Sequence, residues 1–132
     1  MNKIKNNIFQ KDYLVTEEVT IKFMGSEVIP VLSTPALIMW LEMASREAAQ
    51  PLLDSGEETV GTNVQVKHLA PTPLGIKVRV KTKIITVDDR RFCFKVEAFD
   101  EFGKIAEGSH ERVRVLVSKF AKSLESKVSR RE

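Results

Sequence analysis

Apolar positions are densest between residues 33 and 49, where the chain reads STPALIMWLEMASREAA. Ser33 and Thr34 are residue types that cap helices, and Pro35 suits the first helical turn. The two turns that follow are apolar on every side, which is typical of a buried helix. A proline follows Gln50, and because proline disfavours helical geometry in the residue before it, we expect the helix to end there.

From residue 60 onward the period of the apolar positions changes to two, which indicates strands. In the segment VGTNVQVKHL, strict alternation puts His68 on the apolar face and Gly61 on the opposite face. A less regular strand is expected over residues 12–24, and a short amphipathic helix from Ser118. Three further alternating segments follow the first one, at residues 76–84, 91–98 and about 104–117.

These elements predict one fold class. The order is a strand, one long apolar helix and four strands joined mainly by short turns, and short turns favour antiparallel neighbours. One long helix against such a sheet suggests an α+β fold in which an antiparallel sheet wraps around the helix. The 132 residues suggest a single domain over residues 1–132, with a loose N-terminus at residues 1–11 and a basic tail at residues 119–132.

Composition narrows the class of protein. The chain is 42% hydrophobic and 30% charged, as soluble globular proteins are. No apolar run reaches the roughly 18 residues needed to span a bilayer, and the N-terminus lacks a secretory signal, so we expect a cytoplasmic protein without a membrane partner. The basic tail has a single aromatic residue, Phe120, and no known binding motif, which favours a solvated helix over a nucleic-acid site. Cys93 is the single cysteine and offers neither an internal disulfide nor a metal cluster.

Glu42 is the first candidate for chemistry, because no other charged residue lies between Val28 and Ser45. A carboxylate in apolar surroundings is costly unless it is paired, neutralised or used. Two simple alternatives remain. Glu42 could lie at an exposed edge of the helix, or it could pair with Arg46, four residues further on.

Five other residues can be interpreted either structurally or functionally. His68 ends a strand just before a proline-rich loop, and it is either a satisfied core histidine or a functional one. Thr34 could simply cap the helix, and Gly61 could mark a bulge or a tight packing spot. His110 and Arg112 share one face of the last strand, which we expect to be solvated or at an interface.

The segments STPALIMWLEMA, GTNVQVKHLAPTPLG and EGSHERVRV together resemble the hotdog-fold acyl-CoA thioesterases, most closely the fluoroacetyl-CoA thioesterase-like branch. That branch carries a catalytic threonine, a glutamate eight residues later and a histidine twenty-six residues after that, which matches Thr34, Glu42 and His68. It also has a Gly-Thr pair that opens the strand ending in the histidine, matched by Gly61 and Thr62. The resemblance covers roughly residues 12–127.

The resemblance implies a thioester hydrolase that acts on an acyl-CoA. It implies a homodimer in which two helices pack back to back and two active sites lie at the subunit interface. Glu42 would be the general base for water or the nucleophile, with His68 and Thr34 assisting. Gly61 and Thr62 would bind substrate, because a glycine permits close approach of a backbone N–H to the thioester carbonyl.

No metal is expected, and coenzyme A enters only as part of the substrate, so no cofactor is expected either. Three basic residues are candidates for contacts with the CoA phosphates on the ground of charge alone: Lys67, Arg90 and Arg91. Two other functions stay open, a non-catalytic hotdog dimer that binds an acyl thioester and a hotdog hydratase or dehydratase.

Two features set limits on the resemblance. Eight residues of α-helix span about 12 Å, so Thr34 and Glu42 cannot touch if the helix is regular between them. We predict that Thr34 lies in a loop that folds back over the helix. The best-known member of the branch also has a phenylalanine-bearing lid before this helix, whereas the stretch FMGSEVIPVL contains only Phe23 as an aromatic residue. We therefore expect a small or medium acyl group as the substrate.

Overall fold

The computed structural model describes residues 8–131. Short 3-10 turns occupy Glu17–Val19 and Gln50–Leu52. The two helices are α1 (Thr34–Ala49) and α2 (Val117–Ser129). The strands are β1 (Ile8–Leu14), β2 (Thr20–Ile21), β3 (Val31–Leu32), β4 (Glu57–His68), β5 (Lys77–Asp88), β6 (Arg91–Asp100) and β7 (Gly103–Leu116).

Five strands form one antiparallel sheet in the order β1-β5-β6-β7-β4, while β2 and β3 form a separate two-stranded ribbon. Tight turns join β5 to β6 and β6 to β7, so these strands lie side by side. β4 pairs with β7 from the other side and becomes an edge of the sheet. The predicted α+β arrangement, an antiparallel sheet around one long helix, is confirmed.

The core lies between α1 and the inner face of the sheet. Trp40 of α1 stacks on Tyr13 of β1 with the ring centroids 4.7 Å apart. Burying a large apolar side chain contributes about 1.5–3 kcal/mol, so the packed face of α1 accounts for much of the stability of the fold. That face consists of Leu37, Leu41, Ala44 and Ala48, and it packs against Val78, Val80, Phe92, Phe94 and Val96.

The opposite face of α1 is not covered in the described chain. Met39 is 60% exposed and Met43 is 41% exposed. The sequence predicted a helix that is buried all round, and this prediction was wrong for a single chain. One sheet covers only one side of a helix, so the apolar residues on the other side stay open.

Both ends of α1 follow from local signals. The Ser33 hydroxyl accepts a hydrogen bond from the backbone N–H of Ala36 at 3.2 Å, so Ser33 is the N-cap. Thr34 then occupies the first helical position. The prediction that Thr34 lies in a loop folded back over the helix was therefore wrong. The predicted end is confirmed within one residue, since α1 ends at Ala49 and a 3-10 turn follows.

The segment before α1 differs most from the prediction. The single strand expected over residues 12–24 is two short strands, because a 3-10 turn at Glu17–Val19 separates β1 from β2. Residues 8–11, expected to be loose, pair with β5 as the first half of β1. Residues 1–7 of that expected loose segment lie outside the described residues.

The segment after β7 forms α2, as the sequence predicts. Every residue of α2 is exposed. Within the described part of the chain, no helix has both the length and the apolar character needed to cross a membrane.

Candidate active site

A bulge in β4 decides which of its residues face α1. Gly61 and Asn63 pair with successive residues of β7, so Thr62 is an extra residue in the strand. A bulge resets the alternation of side chains, and Gly61 and His68 therefore both face α1. The prediction that they lie on opposite faces was wrong, because it assumed unbroken alternation.

The N-terminal end of α1 holds the first group of candidate residues, the Thr34–His68 pair. Thr34 Oγ1 and His68 Nδ1 share a hydrogen bond of 2.8 Å. The Nε2 atom of the same ring is buried and has no hydrogen-bond partner among residues 8–131. Burial lowers the pKa of His68 from its ordinary value of 6.5, and the backbone of Ala70 partly opposes this. A neutral imidazole with one free nitrogen can orient a substrate atom or exchange a proton with it.

A groove of about 620 Å³ lies beside the Thr34–His68 pair. Its walls are mostly apolar, and Phe23 lines it from the exposed loop between β2 and β3. A groove of this kind accommodates an apolar chain better than a charged one. Its apolar walls include Ile21, Val31, Leu32, Leu69 and Pro71.

The second group, the Glu42 cluster, comprises Glu42, Gly61, His110 and Arg112. The side chain of Glu42 is 40% exposed, and its Oε2 lies 3.7 Å from Arg112 Nη1. A Cβ atom on Gly61 would lie only 2.6 Å from the same Oε2, so the carboxylate occupies the space that the glycine leaves free. Close approach of this kind needs a residue without a side chain.

Arg46 does not pair with Glu42. Its Nη2 and Nε donate to the Glu58 carboxylate at 2.8 and 3.1 Å, an arrangement with two parallel bonds. The alternative of an Arg46–Glu42 pair along the helix is thereby excluded in this structure. The carboxylate of Glu42 instead faces β4 and β7.

Arg112 is 6% exposed, and its guanidinium is held at three points. Its Nε donates to Thr59 Oγ1 at 2.7 Å, and its Nη2 donates to the carbonyl of Thr59 at 2.9 Å. Its Nη1 contacts His110 Nε2 at 3.2 Å. A buried guanidinium fixed in this way presents a constant positive charge to Glu42.

His110 and Arg112 do not lie on a solvated or interface face, which is where the sequence led us to expect them. His110 is 2% exposed and stacks on Phe94 with the ring centroids 5.8 Å apart. Their side chains point inward because alternation along β7 puts them on the same face as Ala106, and the neighbouring strands β6 and β4 complete their burial. The signal that could have found them is their shared alternation with the fully buried Ala106.

Within one chain the two groups stay apart. The structure brings Thr34 to His68 and Glu42 to Gly61, but two helical turns, about 12 Å, separate Thr34 from Glu42 along α1. The hydroxyl of Thr62, the other expected substrate contact, donates to Glu111 Oε2 at 2.7 Å.

The three basic residues considered for the CoA phosphates do not form one patch in a single chain. Lys67 pairs in register with Glu107 near the end of β4. Arg90 and Arg91 lie at the β5–β6 turn, across β7 from the start of β4. Arg91 Nη1 binds Glu111 Oε2 at 2.8 Å, and Arg90 Nε donates to a backbone carbonyl of β7 at 3.4 Å.

Comparisons with known proteins identify the family and the fold. The model of the fluoroacetyl-CoA-specific thioesterase family matches residues 15–118. The fluoroacetyl-CoA thioesterase of Streptantibioticus cattleyicolor is 31% identical over 118 residues, which is 85% of either chain. A solved structure of the fluoroacetyl-CoA thioesterase FlK gives a TM-score of 0.84 at 30% identity, covering 92% of this chain and 95% of that one. A thioesterase superfamily member from Thermus thermophilus gives 0.86 at 30% identity, covering 98% and 97%. The chain belongs to the fluoroacetyl-CoA-specific thioesterase family, and its fold is the hotdog fold that the resemblance implied.

Proposed function

We propose that this protein is an acyl-CoA thioesterase that hydrolyses the thioester of a small or medium acyl-CoA. Membership of the family supports the reaction, and another solved structure of the FlK relative is a complex with fluoroacetate and CoA. The observation that carries the proposal is the position of Glu42. Its carboxylate is half-exposed on an apolar helix, faces the gap at Gly61 and lies 3.7 Å from a buried guanidinium.

Glu42 acts on the thioester in one of two ways. As a general base it takes a proton from water while the water oxygen attacks the carbonyl carbon. As a nucleophile its own oxygen attacks that carbon, and water then hydrolyses the acyl-enzyme anhydride. In both routes the carbon–sulfur bond breaks, and the CoA thiolate leaves and takes up a proton. No cofactor is needed for either route, since CoA is part of the substrate.

The Thr34–His68 pair supports the same reaction at the sulfur or at the carbonyl oxygen. The Thr34 hydroxyl holds one ring nitrogen of His68, and the buried Nε2 is free to hydrogen-bond the substrate. The backbone N–H at Gly61 polarises the thioester carbonyl, and Thr62 contacts the substrate nearby. Lys67, Arg90 and Arg91 remain candidates for the CoA phosphates.

The active protein is a homodimer in this proposal. Among residues 8–131, β4 has no strand on its outer side, and the face of α1 with Met39 and Met43 is open. A second copy that pairs its own β4 antiparallel across a two-fold axis would cover both features. The end of one β4 would then lie beside the start of the other, which brings the Thr34–His68 pair of one chain toward Glu42 of the partner. We expect this dimer in the cytoplasm.

The test is thiol release from a panel of acyl-CoAs, from acetyl to long-chain, by the wild type and by Glu42→Gln. We expect kcat to fall by about 10²–10⁴-fold in this variant, because the amide can neither accept the proton nor attack. Glu47→Gln is the matched control, since Glu47 lies on the same helix and its carboxylate pairs with the exposed Lys11. The control should keep wild-type turnover.

Two outcomes would contradict the proposal. Binding of acyl-CoA without thiol release from any substrate would favour a non-catalytic acyl-thioester binder. Equal turnover by the wild type and Glu42→Gln would remove Glu42 from the chemistry. Sedimentation measurements test the dimer separately, and a monomer with full activity would refute a site shared between two chains.

A further inference from the structure

His110 is a buried titratable group to which the proposed reaction gives no role. Its Nδ1 lies 2.8 Å from the backbone carbonyl oxygen of Asn63, next to the bulge of β4. Its Nε2 lies 3.2 Å from Arg112 Nη1. The ring therefore connects two strands at the point where Glu42 meets Gly61.

The chemistry of the two partners determines the protonation state of this ring. A carbonyl oxygen only accepts hydrogen bonds, so Nδ1 carries the hydrogen and donates it to Asn63. A guanidinium only donates, so Nε2 is unprotonated and accepts from Arg112. His110 is therefore neutral and in one tautomer. Although its Nε2 lies 4.0 Å from Glu42 Oε2, the two do not form an ion pair, because no hydrogen on that nitrogen faces the carboxylate.

His110 contacts the Nη1 atom of Arg112. Nε and Nη2 are occupied by Thr59, and His110 takes one of the two hydrogens on Nη1. The second hydrogen of Nη1 is left for Glu42, whose Oε2 is 3.7 Å away. On the other side, the Cε1 atom of the same ring would lie 3.2 Å from a Cβ on Gly61, so the ring also lines the gap that receives the carboxylate.

We propose that His110 is a positioning residue for the thioesterase reaction. As a neutral imidazole it accepts a hydrogen bond from Nη1 of Arg112 and so directs the other Nη1 hydrogen to Glu42, which holds the carboxylate in the gap at Gly61; its bond to Asn63 fixes the tautomer that can accept. This inference rests on the proposed role of Glu42.

Protonation of His110 would break this arrangement. The cation could not accept from Arg112, and two positive charges would stand side by side. The charged groups that face the ring are Arg112 from β7 and Glu42 from α1, while β6 contributes the ring of Phe94 and β4 the carbonyl of Asn63. Burial is the largest effect and lowers the pKa of His110, and the charge of Arg112 lowers it further, whereas the Asn63 carbonyl and the carboxylates of Glu42 and Glu111 raise it; the net direction is downward, so the neutral form persists below the ordinary pKa of 6.5.

Two amide variants separate the two bonds of the ring. The side-chain oxygen of His110→Gln reaches the position of Nε2 and can still accept from Arg112. The side-chain NH₂ of His110→Asn reaches the position of Nδ1 and can still donate to Asn63, but nothing reaches Arg112. Both variants lose the stacking on Phe94, so they serve as controls for each other in stability.

We expect His110→Gln to keep kcat within about threefold of the wild type and His110→Asn to lose at least about tenfold, with KM for the acyl-CoA changed less than about twofold in both. The acid limb of the kcat–pH profile should be shallower in His110→Gln than in the wild type, because one titrating group is gone. If His110 had a purely structural role, the kcat values of the two variants would differ only as far as their stabilities, measured as urea midpoints, differ. We expect the two urea midpoints to be similar.

Equal kcat values in the two variants, or an unchanged acid limb in His110→Gln, would overturn the inference. If His110→Asn does not fold, a folded His110→Gln that has lost at least about tenfold in kcat overturns it alone. Crystal structures of the variants measure the geometry of the Glu42 cluster independently of activity. The 3.7 Å separation of Glu42 Oε2 and Arg112 Nη1 should persist with Gln and change with Asn. A wild type without thiol release would refute the proposed function, and these distances would still decide the role of His110.

Discussion

Replacing Gly61 with alanine tests whether the position of the Glu42 carboxylate controls the reaction. The new Cβ would lie 2.6 Å from Glu42 Oε2, whereas ordinary contacts begin near 3.4 Å. The carboxylate must therefore move by about 0.8 Å, the difference between these distances. It lies at the end of a flexible side chain that is 40% exposed, so it can move without a shift of the backbone. We expect the fold to persist.

A misplacement of about 1 Å at a reacting group costs about 10²-fold in rate. This corresponds to about 2.7 kcal/mol of activation free energy. We expect kcat for thiol release to fall about 100-fold in Gly61→Ala, with KM changed less than about twofold and the urea midpoint close to that of the wild type.

A double-mutant cycle shows whether the alanine acts through the carboxylate. In a Glu42→Gln background, Gly61→Ala should cost little further activity, because the group that it displaces is already inactive. The reasoning would be refuted if Gly61→Ala lowered kcat by the same factor in both backgrounds. It would also be refuted if Gly61→Ala alone kept wild-type kcat.

Three further predictions concern stability. Burial lowers the pKa of both His68 and His110 from 6.5, so the unfolded chain binds more protons than the folded one as the pH falls below about 6.5. Urea midpoints should therefore drop between about pH 7.5 and about pH 5, and a flat profile would contradict this. Gly108→Ala should cost about 3 kcal/mol of unfolding free energy, because its Cβ would lie 2.0 Å from a backbone oxygen of β4, and an unchanged midpoint would refute this. Ser45→Ala should cost about 1–3 kcal/mol, because it removes the buried partner, at 2.9 Å, of the Thr82 hydroxyl. Adding Thr82→Val should recover part of that loss, and a further loss of stability would contradict the explanation.

Local signals predicted α1 and the antiparallel sheet well. Ser33 caps the helix, and a proline in the 3-10 turn after Ala49 marks its end, so both boundaries follow from neighbouring residues. The turns between β5, β6 and β7 are short, and short turns leave little choice of strand order. The apolar surroundings singled out Glu42 and the resemblance gave it a catalytic role, and the structure places its carboxylate beside Gly61.

Long-range pairing explains what the pattern missed. Arg46 pairs with Glu58, which lies twelve residues further along the chain and on another element. The burial of His110 and Arg112 depends on β6 and β4, which flank β7 in space. Alternation with Ala106 was the one signal within β7 that this face is the inner one, and two polar side chains on the same face obscured it. Thr34 was expected in a loop because a regular helix keeps it about 12 Å from Glu42. The helix is regular from Thr34 onward, and the two residues stay apart within one chain.

The bulge at Thr62 has a numerical consequence for proteins built on this plan. His68 is seven positions after Gly61. An odd difference in position along an unbroken strand puts two side chains on opposite faces. Both residues lie on the same face of the sheet here only because the bulge inserts one residue, Thr62, between them. In any chain in which this glycine and this histidine differ by an odd number of positions and still face the same side, the strand between them must be irregular. An even difference would indicate either that the strand is regular or that the two side chains face opposite sides of the sheet.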